Sequence, residues 1–181
     1  MNPEPITVSP EDFEREVMTW LGMIFDPPAQ QSIRHRELLD GLDGTYEIDL
    51  IVRFNVFGVD IIILVECKHH KSPIKREVVQ VLHDRIQSVG AHKGIIISTS
   101  NFQRGAIEYA LKHGIALIMF IEGKSTYFTK AIGPPPEPPP WANIPKYSGW
   151  LLGLSENGGL THSLVSRNQI EYLRKFMEKE D

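Results

Sequence analysis

Several features that mark large classes of protein are scarce or missing in this chain. Cys67 is its only cysteine, so no internal disulfide can form, and a reducing, cytoplasmic setting is expected. No apolar run approaches the roughly 18 residues that a membrane span needs. The longest, Ile61 to Val65, is strand-sized, and the opening Met-Asn-Pro-Glu-Pro has no basic-then-apolar signal pattern. A surplus of positive charge is also lacking. The formal net charge is −4, which weighs against broad electrostatic attraction to nucleic acid. There is no Gly-rich phosphate loop, no Gly-x-Ser-x-Gly elbow and no dinucleotide fingerprint, which ranks a small-molecule enzyme last among the readings. No internal repeat is visible.

What is present is an ordinary 41% of apolar residues in 181, enough for one domain with a real core. Ser9-Pro10 predicts a helix start, followed by Phe13, Val17, Trp20, Leu21 and Ile24 at helical spacing, with Asp26-Pro27-Pro28 as the stop. A strand of mixed pattern follows over 32–39, then a turn at Gly41 to Gly44. Two further strands are predicted. Tyr46 to Val56 alternates, with Ile48 and Leu50 on one face and Glu47 and Asp49 on the other. Val59 to Cys67 is nearly all apolar, as for a central strand covered on both faces. Lys75 to Val89 reads as a helix ended by Gly90, and Lys93 to Ser98 as a buried strand. Ser100 and Gln103 have capping-box spacing for a helix reaching His113. Ile115 to Ile121 is a strand, and Tyr127-Phe128 opens an edge strand.

Composition then shifts. The tract Pro134 to Pro140 excludes helix and sheet interior and predicts an extended spacer. Beyond it, Ser166 and Gln169 have capping-box spacing before an apolar stripe of Ile170, Leu173 and Met177. The expected division is a main domain over 1–132, a proline-rich linker over 133–146, and an extension with an amphipathic helix over 147–181. Hairpin-connected strands come first and helical crossovers later, which predicts an α/β sandwich around a mixed sheet.

The chemistry concentrates around Glu66-Cys67-Lys68. Strand period puts Glu66 and Lys68 on one face and Cys67 on the other, where a buried structural thiol is the simpler reading. An acid and an amine at the end of an apolar strand are costly to desolvate, and a divalent cation would offset that cost for the carboxylate. Asp49 on the adjoining strand supplies a second acid if the hairpin register is normal, with Glu47 as its competitor. Carboxylates, backbone carbonyls, waters and a phosphate suit Mg²⁺, with Mn²⁺ as substitute. Such an ion would activate water against a phosphodiester, and Lys68 would hold that water or stabilise the growing charge. The plainer alternatives are an Asp49–Arg53 surface pair and a structural Glu66–Lys68 salt bridge. Lys68, His69, His70, Lys71, Lys75 and Arg76 form a local basic cluster. It reads either as a solvated loop or as a phosphate-facing patch on an acidic body. His69 and His70 have no partner pair at zinc spacing. Ser98 and Ser100 meet a helix N-terminus, which suits an anion, though capping explains them more simply.

Asp49, a strand, and then Glu66-x-Lys68 resemble the PD-(D/E)-x-K nuclease signature. The wider stretch from Phe13 to Phe120 looks like the catalytic domain of Mrr-like restriction endonucleases. Tyr46-Glu47-Ile48-Asp49-Leu50, Leu64-Val65-Glu66-Cys67-Lys68, Gln80 and Lys93-Gly94-Ile95-Ile96-Ile97-Ser98-Thr99-Ser100 carry the likeness. Ile48 stands where the signature has proline. The resemblance implies a restriction endonuclease-like three-layer fold and a metal-dependent endodeoxyribonuclease, in restriction or foreign-DNA defence. It implies Asp49, Glu66 and the Cys67 carbonyl as metal ligands, Lys68 as catalytic, Gln80 as a positioning residue and Glu14 as an acid facing the site. Lys71, Lys75, Arg76, Ser98 and Ser100 are then the expected DNA contacts. A double-strand cut needs two sites, so a homodimer is expected. Family members often carry a separate recognition domain, for which 141–181 leaves little room, so target choice is unassigned. A non-catalytic nucleic-acid binder or scaffold on the same fold is the alternative; the intact Asp, Glu and Lys set argues against it.

Overall fold

The computed structural model describes residues 6–24, 31–56, 58–123 and 145–165. The expected stop at Asp26-Pro27-Pro28, the strand start at Tyr127-Phe128, the proline tract and the C-terminal helix lie outside the described residues. The elements are α1 (Pro10–Ile24), β1 (Gln31–Asp40), β2 (Thr45–Val56), β3 (Val59–Lys68), α2 (Arg76–Val89), β4 (Lys93–Ser98), α3 (Arg104–Lys112), β5 (Ile115–Glu122), β6 (Tyr147–Leu154) and β7 (Leu160–Val165).

All seven strands form one sheet in sequence order. β3–β4 and β4–β5 are parallel, and every other neighbouring pair is antiparallel. The parallel pairs need crossovers, which α2 and α3 provide. Two apolar cores flank the sheet. One gathers Phe13, Val17, Trp20, Leu21 and Ile24 of α1 against Val65, Ile97 and Phe120. The other gathers Val79, Leu82 and Ile86 of α2 and Ala106, Ile107 and Ala110 of α3 against Leu64, Ile96 and Leu117. The result is the expected α/β three-layer sandwich on a mixed sheet.

Local signals explain most boundaries. Ser9 caps α1, its Oγ accepting the Asp12 amide at 3.1 Å. Gly90 ends α2 with φ 67, the left-handed conformation that glycine adopts freely. The capping box expected at Ser100 is not formed: α3 begins at Arg104 after Gln103, with no side-chain cap. Ser100 is instead tied back to Ser72 O at 2.8 Å.

No strand was expected beyond residue 146, yet β6 and β7 extend the sheet from β5. Their turn is closed by the Ser155 amide on Gly159 O at 2.8 Å and has Gly158 at φ 73. Asn157-Gly158 between two apolar stretches is the hairpin signal that marks it. β6 also carries part of the α1 core. A Cβ on Gly149 would lie 2.5 Å from the Trp20 ring, so the bare backbone there lets α1 seat on the sheet.

Candidate active site

The candidate residues collect where β3 ends, at the carboxyl edge of the parallel strands, where open α/β sheets commonly bind ligands. The loops after β3 and β4 are laced together there. The Thr99 amide donates to Lys68 O at 3.1 Å, the Ile74 amide to Asn101 O at 2.8 Å, and the Gln103 amide to Ile74 O at 2.9 Å. Ser98 and Ser100 are buried, with their hydroxyls 3.1 Å apart. These serines therefore brace the basic loop from below and are not presented to DNA as expected. That loop exposes Lys71, Lys75 and Arg76, with the Arg76 guanidinium 4.9 Å over the Tyr109 ring. His69 turns inward, one ring nitrogen 2.8 Å from Ile6 O.

Strand alternation places Glu66 on the α2 side, opposite the buried Cys67 and Val65 of the α1 core. Its two oxygens take different cations. Lys68 bonds Oε1, and Arg85 of α2 donates to Oε2 at 2.9 Å. Glu66 and Lys68 thus share a face, as strand phase requires. Arg85 was not anticipated. Its sequence signal is modest: a basic residue flanking the Leu82–Ile86 stripe on the helix after the two acids. Burial and the surrounding carboxylates push the Cys67 thiol well up, consistent with an inert structural cysteine.

Asp49 departs from simple alternation. Leu50 and Val52 belong to the α1 core, but Ile48 belongs to the α2–α3 core. Strand faces therefore exchange at Asp49, and the expectation that Ile48 and Leu50 share a face does not hold. The β2–β3 ladder stops at Leu50↔Val65. Beyond it, Asp49 Oδ2 accepts the Cys67 amide at 2.7 Å. The Asp49 carboxyl is pushed up to about 6 by burial first and by the Glu66 charge second, while the Cys67 amide and Lys68 oppose the shift. The Asp49–Arg53 alternative fails, because Arg53 makes a two-pronged pair with Glu37 at 2.8 and 2.6 Å.

Glu14 is buried on α1 and shared by two β1 residues. His35 approaches it at 2.7 Å, and Arg36 bonds both its oxygens at 2.9 and 3.2 Å. Its charge reaches Asp49 and Cys67. Neither His35 nor Arg36 was singled out, because a strand of mixed pattern gives no signal for which face its charges take. Glu47 is exposed and acts on Arg36. Gln80 is half-buried on α2, and its side chain makes no hydrogen bond among the described residues; Arg85 of the same helix is the one that reaches Glu66.

The donor set can be tested against a divalent ion. Asp49 and Glu66 are near enough for the charge of one to disfavour ionisation of the other, a conflict a cation between them would relieve. Among the described residues no group of three or more His, Cys, Asp or Glu side chains converges. Mg²⁺ does not need one, since it keeps several waters and uses one or two carboxylates plus substrate phosphate. The residues fit a hydrated Mg²⁺ and do not fit a closed zinc site.

A family match and one structural likeness agree with this architecture. The restriction endonuclease family Mrr_cat matches residues 25–122, more than half of the chain. Among solved structures, the protein of unknown function AF1548 superposes with a TM-score of 0.51 at 19% identity, over 60% of this chain and 57% of that one. The DNA modification-dependent restriction endonuclease AspBHI is matched with a TM-score of 0.41 at 18% identity, over 59% of this chain and 27% of its own. The chain thus spans little more than half of the first of these proteins and about a quarter of the second. No curated protein matches. With the seven-stranded mixed sheet, its flanking helices and the match over residues 25–122 taken together, the chain belongs to the Mrr_cat restriction endonuclease family.

Proposed function

We propose that this protein is a Mg²⁺-dependent endodeoxyribonuclease that hydrolyses DNA phosphodiester bonds, in restriction or defence against foreign DNA. One observation carries the reading: Asp49, half-buried and raised to about 6 beside Glu66, lies on a site whose other members are Lys68 and Arg85. Asp49 and Glu66 hold the ion, with the Cys67 carbonyl as a further ligand. Mg²⁺, or Mn²⁺ in its place, supplies Lewis acidity and an activated water when bound. Lys68 orients the attacking water or steadies the charge growing on phosphorus. The exposed Lys71, Lys75 and Arg76 bind flanking phosphates, a local attraction on an acidic body. The lone cysteine suits a reducing cytoplasm.

A panel of plasmid, methylated plasmid, single-stranded DNA and RNA, with Mg²⁺ or Mn²⁺, tests this. Plasmid cleavage is expected, blocked by chelator and reduced about 10²-fold or more in Lys68→Ala. A second reading rests on the pairing of both Glu66 oxygens with cations, which suits a non-catalytic DNA binder. DNA binding without cleavage under every divalent ion would select it.

A further inference from the structure

Arg36 has φ 48, the left-handed region, and is the only described residue other than glycine with positive φ. Side chains of L-residues crowd the following carbonyl there, and only Asn and Asp tolerate it at all readily. Its place in the hairpin is specific. β1 and β2 pair as His35↔Leu50 on one side and Glu37↔Ile48 on the other, with no residue gained or lost between them. Arg36 and Asp49 are the opposed positions missing from that ladder.

Both strands exchange faces at this level. Ile33, Leu50 and Val52 pack with α1, as does His35 through Glu14. Leu39, Tyr46 and Ile48 pack with α2 and α3. The far half of the hairpin is therefore turned over relative to the near half. It is fastened there: the Leu42 amide donates to Ser88 O at 3.0 Å, and the Arg85 guanidinium lies 5.9 Å from the Tyr46 ring centre. A classic bulge would add a residue and shift the register, but here the register is kept and one backbone unit takes the rotation.

We propose that Arg36 is a positioning residue whose left-handed backbone turns the hairpin over at Asp49, so that the Asp49 carboxylate leaves the ladder and is aimed at the Cys67 amide, next to Glu66. Its side chain locks the turn. The guanidinium grips Glu14 on α1 through two bonds, and His35 holds the same carboxylate from the neighbouring position. Backbone and side chain thus do separable work. Glycine supplies the turn without the lock, whereas valine opposes the turn because a β-branched residue is poorly accommodated in the left-handed region. The value of this aiming to catalysis rests on the function proposed above, but the geometry can be tested independently.

The test compares Arg36→Gly and Arg36→Val with wild type, each checked for folding by thermal melt. The first readout is hydrogen exchange at the Cys67 amide, whose acceptor is Asp49 Oδ2; Asp49→Ala marks full loss of protection. The second is the Mn²⁺ dissociation constant from calorimetry. Arg36→Val should lose Cys67 protection and bind Mn²⁺ about 10-fold to 100-fold more weakly. Arg36→Gly, which keeps the turn and loses the lock, should lie between wild type and Arg36→Val in both. If Arg36→Val does not fold, Arg36→Ala opposes the same conformation with less bulk and is read in the same way. Wild-type protection in the valine or alanine variant would overturn the proposal, as would a loss in folded Arg36→Gly as large as that in Arg36→Val. If wild type binds no ion, the functional reading fails and the Cys67 amide alone decides the role of Arg36.

Discussion

Asp49 ionises against two obstacles, its own burial and the charge of Glu66, and this has a signed consequence for stability. A folded-state carboxyl raised from 3.8 to about 6 favours the folded chain fully below pH 3.8, and that contribution is lost as pH rises through about 6. In metal-free buffer, Asp49→Asn should therefore gain stability relative to wild type between pH 4 and pH 7, by about 1–2 kcal/mol after allowance for solvent screening. Denaturant melts at the two pH values measure it, and a difference that does not change with pH contradicts it. Arg85→Ala should cost about 1–3 kcal/mol at neutral pH, because Glu66 keeps Lys68 but loses its second cation. Glu66 and Lys68 were legible in the sequence because an apolar run fixes strand phase to its end. Asp49 was legible as a residue but not as a geometry, since the exchange of faces arises from one left-handed backbone unit across the hairpin, and arginine carries no sequence mark for that conformation. Arg85, His35 and Arg36 join the site through tertiary contacts between elements, which spacing along one element does not encode.

At the scale of elements, the joint between α1 and β6 leaves no room for a side chain at Gly149. Trp20 lies over Gly149, and Ile118 crowds the same point, so a side chain there must displace an aromatic ring or the sheet. Gly149→Val should lower stability by about 1–3 kcal/mol, seen as a fall in melting temperature; an unchanged melt would mean that α1 does not seat on β6 as described. Helix α1 was readable from its cap and apolar stripe, and α2 from its apolar stripe and glycine stop. The start of α3 was not. Ser100 had the right spacing for a cap, but Ser72 and Ser98 compete for its hydroxyl, and the helix opens later. β6 and β7 went unread because the proline tract drew a boundary by composition, whereas the edge of β5 offered a longer sheet to pair with. A bridge between Ile74 and Phe102 likewise joins two loops distant in sequence.

For the whole molecule, the proposed function sets an acidic chain against an acidic substrate. The formal charge of −4 is a sum, while the loop after β3 and the start of α2 expose Lys71, Lys75 and Arg76 together. Attraction to DNA should then be local and steeply weakened by salt. Since one site cuts one strand, we expect two chains to act on a duplex; a sedimentation mass equal to one chain on a duplex that is nonetheless cut through would contradict this. In the proposed function Asp49 and Glu66 together hold a divalent ion, with Lys68 beside the ion rather than among its ligands. Calorimetric titration of the metal-free protein with Mn²⁺ tests it most directly. Wild type and Lys68→Ala should bind the ion, whereas Asp49→Asn and Glu66→Gln should lose that binding while remaining folded. A wild-type protein that takes up no Mn²⁺, or carboxylate variants that bind it as wild type does, would contradict the account.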